Sequence, residues 1–434
     1  MPLVEYTIKG SATNGTDYKK VENTITFGAG SDTATIDINP IDDRIYEGTE
    51  TVTIKLSSGD DYLISRDKSG TINIKDNDAK TPKLIEPTSN DLEIEGGTGK
   101  SVLKFTKIGQ EGIGNNEIVT FVVDDEQGRI GGIAPGAAGY VAAALDRSQV
   151  VFSSLGNETV NVGFDRDSQR YLNFAPGERV QFALIADDTL DTIKANLTDR
   201  EFTDKVLFSA AEANPGGTNQ AKFSVIPNDG GYEIAWEDNI KEGSGKTTPD
   251  FNDLVLKVET LDNFKTPVGT NLQGKSEGSV IDLRSFGGKT LKVDTVSVSD
   301  AAYQNYIGFY AVEDAQGTLA NGLKVGDAGY AEAAIKSAIL RGFKTETQSD
   351  LTVTGGKIFA PVVIANGTFE DFLNRNPQNQ ANSNVHAYFN YLGANTDGVD
   401  HFRLLGDNKF GVEDIYGGGD RDYNDVVFQM NIKA

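Results

Sequence analysis

Short stretches of alternating apolar and polar residues recur along the chain. TITF at 24–27, ATIDI at 34–38, ETVTIKL at 50–56 and GTINIKD at 70–76 show the period of two that a half-buried strand produces. Gly, Asn and Asp separate these stretches, as tight turns require. Helical periodicity is confined to 140–145, 330–340 and 368–374. The pattern predicts a mainly β chain of three β-sandwich-like modules in tandem, with short helices in the last two.

Two segments without alternation divide the chain. Residues 81–90 carry two prolines, and residues 262–278 are polar and contain glycine. We therefore predict modules at 1–80, 91–261 and 279–434, joined by linkers at 81–90 and 262–278.

The second and third modules are internal repeats, named here the first repeat and the second repeat. Similar blocks occur in the same order in both: AGYVAAAL at 138–145 and AGYAEAAI at 328–335, LIADDTLDTI at 184–193 and VIANGTFEDF at 363–372, LFSAAEANPGG at 207–217 and YFNYLGANTDG at 388–398. Several blocks in one order indicate a duplicated domain.

The last block of each repeat is an acidic loop that runs into an apolar strand. It reads EDIYGGGDRDYNDVVF from Glu413, and in the first repeat a glycine-containing loop separates Glu237-Asp238 from DFNDLVL. Crowded carboxylates repel one another unless a cation lies among them, and calcium takes about six to eight oxygen ligands. Glycine lets the backbone turn tightly enough for its carbonyls to contribute.

We therefore predict a calcium site in each repeat, against the alternative that these residues only cap a turn. The predicted ligands are Glu237, Asp238, Asp250, Asn252 and Asp253 in the first repeat, and Glu413, Asp414, Asp420, Asp422, Asn424 and Asp425 in the second. The first repeat has no counterpart of Asp420.

Both copies of this block resemble the family catalogued as domain of unknown function 4114, which occurs in bacterial, often cyanobacterial, exoproteins. The resemblance covers 91–261 and 279–434. It implies secreted, surface-associated and often calcium-linked proteins, and it brings no established enzyme chemistry.

The first module resembles the Calx-β domain, a calcium-binding sandwich, through GTDY at 15–18, DDRIYEGTE at 42–50 and DND at 76–78. The resemblance implies the ligands Asp17, Asp42, Asp43, Glu47, Glu50, Asp76 and Asp78, together with the Ile45 carbonyl. A full Calx-β domain has two more strands and an acidic ligand before the segment that VEYTIKG matches. We therefore expect either a fragment of a longer protein or open strand edges that pair with another copy of the chain.

Composition narrows the function. The chain has 64 Asp and Glu against 40 Lys and Arg, a formal charge of −24, so we expect neither nucleic acid nor membrane insertion. No apolar run reaches the roughly 20 residues of a membrane helix. The chain has no cysteine and two histidines, His386 and His401, which argues against thiolate zinc sites and a catalytic triad. We expect both histidines to be structural or surface residues.

These features predict a non-catalytic, calcium-binding structural or adhesive module of an extracellular or cell-surface bacterial protein. MPLVEYTIKG lacks the basic start and apolar stretch of a secretory signal, so we expect export by a route without a visible signal peptide, or a piece of a longer chain.

Two alternatives remain at this point. The first is calcium-dependent carbohydrate binding, with exposed aromatics such as Trp236, Tyr416 or Tyr423 contacting a surface polysaccharide. Against this alternative, we expect Tyr416 and Tyr423 to be partly buried strand residues. The second is an extracellular polysaccharide hydrolase with paired carboxylates such as Asp124–Asp125 or Glu313–Asp314. Because both pairs precede a glycine in predicted hairpin turns, we expect them to be solvated turn residues.

Overall fold

The structure is a computed structural model that describes residues 3–85, 91–112, 114–156, 168–227, 231–238, 249–262, 264–275, 278–343 and 348–433. It divides into two compact units: the first unit holds residues up to 85 with 94–101 and 175–177, and the second unit holds the rest. The fold is mainly β, with 39% strand and 12% helix, which confirms the predicted class. Among the described residues, no helix has the length and apolar character needed to cross a bilayer.

The first unit contains a four-stranded antiparallel sheet in the order β2-β1-β3-β4. Its strands are β1 Leu3–Gly10, β2 Thr24–Thr26, β3 Glu50–Leu56 and β4 Ser69–Ile74, and a short strand β5, Lys83–Ile85, follows. The strand predicted at 34–38 is wrong: these residues form no strand, since only Ile36 and Ile38 are even half-buried. Pairing of the sheet edges with another copy stays a prediction.

Two matching sets of strands form the second unit, apart from Ile94, Glu95 and Ser101, which belong to the first unit. The first repeat has β6 Leu92–Glu95, β7 Ser101–Gly109, β8 Asn116–Val123, β9 Gln149–Ser154, β10 Gln169–Phe174, β11 Arg179–Ile185, β12 Val206–Phe208, β13 Ala221–Val225, β14 Tyr232–Trp236 and β15 Leu254–Leu261. The second repeat has β16 Ile281–Asp282, β17 Thr290–Val298, β18 Tyr306–Val312, β19 Ala338–Phe343, β20 Gln348–Thr354, β21 Ile358–Ala365, β22 His386–Phe389, β23 Phe402–Gly406, β24 Lys409–Val412 and β25 Val426–Lys433.

The two sets have the same topology. One sheet runs β10-β7-β15-β14-β13 in the first repeat and β20-β17-β25-β24-β23 in the second. The other runs β6-β11-β8-β9 with β12 beside β11, and β16-β21-β18-β19 with β22 beside β21. Every strand of the first repeat thus has a counterpart in the second, as a duplicated domain requires.

The helices of the second unit are α1 Tyr140–Arg147, α2 Leu190–Ala195, α3 Arg200–Thr203, α4 Tyr330–Ser337 and α5 Phe369–Arg375. The sequence did not predict α2 and α3, and it extended α4 too far. At Ala338 the backbone becomes extended and enters β19, which pairs with β18. α2 and α5 occupy equivalent positions, and each begins after a threonine, Thr189 or Thr368, whose side chain accepts a backbone N–H of the first turn.

The two repeats share one hydrophobic core. A single cluster of buried side chains contains Phe121 and Phe208 of the first repeat together with Phe309 and Phe428 of the second. Gln273, in the described part of the predicted linker, is packed against the second repeat. It is fully buried, its amide donates to Asn408 Oδ1 at 2.8 Å, and its Oε1 accepts the Asn408 N–H at 3.0 Å. The predicted module boundaries themselves stay a prediction.

Buried charges also cross this junction. Arg403 of β23 is buried, its Nη1 donates to the Asp188 carbonyl at 2.7 Å, and its guanidinium lies 4.4 Å from the centre of the Tyr423 ring. Burial raises the pKa of Glu117 in the first repeat and of Asp400 in the second, and the positive charge of Arg403 opposes both shifts. One guanidinium therefore compensates carboxylates from both repeats.

Candidate metal centres

The first unit brings together three of the carboxylates implied by the Calx-β resemblance. Ligand oxygens of Asp17, Glu47 and Glu50 all lie within 4.8 Å of one another. Burial and then the negative charge of Asp17 raise the pKa of both glutamates. Asp17 is itself only 6% exposed. Mutual repulsion in a partly buried site is what a bound cation would relieve.

The other four implied ligands lie near this group but are not part of it. They are Asp42, Asp43, Asp76 and Asp78. Asp76 Oδ2 accepts the N–H groups of Glu47 and Gly48 at 2.5 and 2.6 Å, so it fixes the loop that presents Glu47. Asp78 donates its N–H to Asp76 Oδ1 at 2.8 Å. These N–H groups lower the pKa of Asp76 against the opposing effect of burial.

Asp42 and Asp43 lie at the margin. Asp42 Oδ1 accepts from the Asn77 amide at 2.9 Å, and Asp43 Oδ1 accepts the Ile45 N–H at 2.8 Å.

Burial raises the pKa of Asp78, and nearby carboxylates including Glu95 raise it further. The sequence did not single out Glu95, because it lies outside the segments that carry the resemblance.

In the second repeat, strand pairing creates the site. β24 pairs with β25 with Val412 opposite Val426, so Glu413 and Asp414 meet Asp425 where the two strands adjoin the loop. The Asp414 N–H donates to Asp425 Oδ2 at 2.9 Å. Glu413, Asp414 and Asp425 form the inner triad, with ligand oxygens within 4.8 Å of one another. Glu413, Asp420 and Asp422 meet the same limit and form the outer triad.

Glu413 is the carboxyl of this centre whose pKa is raised to the highest value. Its side chain is 0% exposed, and neither Oε1 nor Oε2 has a hydrogen-bond partner. Burial and the charge of Asp425 raise the pKa of Glu413 to about 9. Burial likewise raises the pKa of Asp414 to about 7, although the Asn305 amide, 2.6 Å from Asp414 Oδ2, opposes the shift.

The loop backbone closes over Glu413. Gly417, Gly418 and Gly419 have φ of 85°, 87° and 44°, and a Cβ at Gly419 would overlap Glu413 Oε1. The side-chain amide of Asn424 donates to Asp422 Oδ2 at 2.5 Å. Asn424 therefore orients Asp422, another of the predicted ligands. The Asn115 amide of the first repeat donates to the Arg421 carbonyl and holds the loop from the other side.

The first repeat reproduces the inner part of this arrangement. The Asp238 N–H donates to Asp253 Oδ2 at 2.8 Å, and the Asn116 amide donates to Asp238 Oδ2 at 2.8 Å, as Asn305 does to Asp414. Burial and the charges of Asp238 and Glu237 raise the pKa of Asp253 to about 7. Neither Asn116 nor Asn305 was predicted from the sequence, although each repeat has an asparagine two residues before the isoleucine of an apolar strand.

The remaining predicted ligands of the first repeat are less closely gathered. The exposed Asp250 donates its N–H to Glu237 Oε2 at 3.2 Å, and the Asn252 amide donates to Glu111 Oε2 at 3.0 Å. Residues 239–248 of the intervening loop lie outside the described residues. Within the described part of the first repeat, no three carboxylates approach as closely as either triad.

Of the two histidines, His401 contacts the backbone of the site and His386 contacts a neighbouring loop. His401 is fully buried, its Nδ1–H donates to the Glu413 carbonyl at 2.8 Å, and its Nε2 lies 2.8 Å from Asp397 Oδ2. His386 Nε2 contacts the Ser383 carbonyl at 2.8 Å. These contacts fit the predicted structural roles.

The aromatic residues suggested for sugar binding are mostly inaccessible. Trp236 is 0% exposed, so the suggestion that its ring is exposed is wrong. Tyr423 is 4% exposed, which agrees with the expectation of a partly buried residue, although it lies in the loop before β25 and not in a strand. Trp236 is on β14, whose residues are buried on both faces, and the alternation in the sequence did not predict this. The Tyr423 ring packs against Arg403. Tyr416 is partly exposed and tilts against His386. Polysaccharide as a partner stays a prediction.

The paired carboxylates suggested for hydrolysis lie in turns. Asp124 Oδ1 pairs with Arg147, and Asp124 Oδ2 accepts the Gly131 N–H at 2.6 Å. Asp314 Oδ1 accepts the N–H groups of Gln316 and Thr318. Their acceptor capacity is thus used in holding the local backbone.

Comparison with known families agrees with the sequence resemblances. The profile of the Calx-beta domain matches residues 3–78, and the profile described as "Domain of unknown function (DUF4114)" matches residues 174–260 and 353–433. Calx-beta is a calcium-binding domain family. Each of the other two matches includes the closing acidic block. Searches of the curated proteins and of the solved structures gave no significant match.

Proposed function

We propose that this chain, which carries one Calx-beta domain and two DUF4114 domains, is a non-catalytic, calcium-binding structural module of a secreted or cell-surface bacterial protein. The observation that carries the proposal is Glu413, whose two buried oxygens have no hydrogen-bond partner among four other carboxylates. An ionised carboxylate buried in this way costs several kcal/mol unless a positive charge compensates it. An all-oxygen donor set favours calcium over zinc.

The first unit supports the same function by an independent route. Its family binds calcium, and Asp17, Glu47 and Glu50 gather oxygens from separate loops. In the first unit a cation would join the segment of Asp17 to that of Glu47 and Glu50, and in the second repeat it would join the end of β24 to the loop before β25. Calcium would therefore stiffen the loops at the strand ends.

An extracellular or surface location, with adhesion or scaffolding as the role, is part of the proposal. Carboxylate-rich calcium sites of extracellular modules typically bind in the range of about 10⁻⁴–10⁻³ M, a concentration that such sites encounter outside the cell. Antibody labelling of intact bacteria, repeated after lysis, tests the location. We expect labelling of intact cells, and labelling only after lysis would contradict the proposed location.

Calcium is expected to stabilise the second unit against heat. The chain has a single tryptophan, Trp236, which is buried in the first repeat, so its fluorescence follows this unit. A ligand that binds only the folded state at 100 times its Kd adds about 2.7 kcal/mol per site. We expect the melting temperature to rise when calcium replaces chelator, and to rise less with magnesium, which demands near-octahedral geometry.

The matched control is Asp146→Asn, which removes one exposed carboxylate on α1 away from every cluster. It should melt like the wild type in both conditions and show the same calcium response. Equal melting temperatures of the wild type in calcium and in chelator would contradict calcium binding by the second unit.

A further inference from the structure

The two triads of the second repeat share one residue, Glu413. Ligand oxygens at about 2.3–2.6 Å from one calcium ion lie up to about 5 Å apart, so each triad has the dimensions of a coordination sphere. A carboxylate that belongs to both spheres can give one oxygen to each of two cations. Such bridged cations lie about 3.5–4 Å apart.

The state of Glu413 is a second observation, independent of the clustering. It is fully buried, and both its oxygens lack a hydrogen-bond partner, so neither oxygen is committed to the protein. A single calcium ion can take both oxygens of one carboxylate, and two ions can take one oxygen each. The free oxygens of Glu413 therefore fit one ion or two, and the two triads with their charge favour two.

Charge leads to the same conclusion. The two triads together contain five different carboxylates. One divalent cation would leave most of that negative charge uncompensated around the buried Glu413 and Asp414, and two would nearly neutralise it. The lack of side-chain hindrance at Gly419, where a Cβ would overlap Glu413 Oε1, lets the loop carry Asp420 and Asp422 up to the outer side of Glu413.

Among its described residues, the first repeat reproduces part of the inner sphere and none of the outer one. Asp238 and Asp253 repeat the inner arrangement, down to the supporting Asn116. Glu237 differs from Glu413 because its Oε2 accepts the Asp250 N–H. The sequence also has no counterpart of Asp420 in this loop.

We propose that the second repeat holds a pair of calcium ions bridged by Glu413, whereas the first repeat holds a single ion. This inference rests on the proposed calcium-binding function and adds to it a difference between the two copies. The outer ion would be the one that is specific to the second repeat.

The test is calcium stoichiometry, measured by flow dialysis on the full chain after chelator treatment. The variants are Asp420→Asn with Asp422→Asn for the outer sphere, Glu413→Gln for the bridge, and Asp250→Asn with Asp253→Asn as the matched change in the first repeat. Relative to the wild type, we expect the outer variant to lose one calcium per chain, the bridge variant two, and the first-repeat variant one.

Some outcomes would overturn the pair but not the calcium function. A Glu413→Gln variant that loses one calcium, or an outer variant that keeps the full number, would show a single ion in the second repeat. A wild type whose stoichiometry none of these variants changes would overturn both the pair and the proposed function of this unit. Trp236 fluorescence and far-ultraviolet circular dichroism in chelator, expected to match the wild type, show that each variant is folded.

Discussion

Replacing Arg403 by methionine is expected to lower the free energy of unfolding of the second unit by about 3–5 kcal/mol, the usual effect of removing one partner from a buried ionic group. The change leaves Glu117 and Asp400 without their compensating charge at the junction of the repeats. It also removes the guanidinium from the Tyr423 ring. Urea unfolding followed by Trp236 fluorescence measures the effect, because this tryptophan lies in the same unit.

The pH dependence of the stability of Arg403→Met distinguishes the loss of the positive charge from the loss of packing. Burial already raises the pKa of Glu117 and Asp400, and the loss of Arg403 should raise both further. A carboxyl whose pKa is raised by folding loses stability as the pH increases, so the deficit of the variant should be larger at pH 8 than at pH 5. Arg200→Met, at a largely exposed arginine of α3, should stay within about 0.5 kcal/mol of the wild type. An unchanged midpoint for Arg403→Met would contradict the role of this charge.

The sequence predicted what depends on neighbours along the chain. Alternation located β3 at the residues where it is found, and the acidic motif located Glu413, Asp414 and Asp425 because they adjoin two strands that pair. The duplication followed from block order and holds strand by strand.

What the sequence did not predict depends on packing between segments. Arg403 reads as the exposed position of a strand, yet all five residues of β23 are buried because the first repeat covers them. Helix α2 has six residues, too few to establish a period. Asn305 contacts Asp414 across more than a hundred residues, and no spacing rule reports such a pair.

The same limit applies to the supposed linker. Residues 264–275 lack alternation, but Gln273 is buried through hydrogen bonds to Asn408, a partner that only the folded second unit brings near. A polar side chain is compatible with burial when its donors and acceptors are satisfied, so composition alone does not distinguish a packed connection from a free one.

Glu413→Gln is expected to have opposite effects in chelator and in calcium. In chelator at pH 8 the wild type must keep a buried carboxyl whose pKa is raised to about 9, whereas glutamine carries no charge. The variant should therefore be more stable than the wild type in chelator, by on the order of a few kcal/mol. In calcium the order should reverse, because the variant loses the ion stabilisation of about 2.7 kcal/mol per site at 100 times Kd.

The pH dependence of the free energy of unfolding in chelator tests whether the charge of Glu413 causes this effect. Folding raises the pKa of Glu413 from its usual 4.5 to about 9. In chelator, the wild type is therefore most stable below pH 4.5, where this carboxyl is protonated in both states, and its free energy of unfolding falls as the pH rises towards 9. The advantage of Glu413→Gln should thus vanish near pH 4.5 and grow up to pH 8, in urea unfolding followed by Trp236 fluorescence. Glu212→Gln, at an exposed glutamate of the same unit, should show neither the reversal nor the profile. An effect of one sign in both calcium and chelator would mean that Glu413 is a buried acid of the fold and not the ligand that links the two cations.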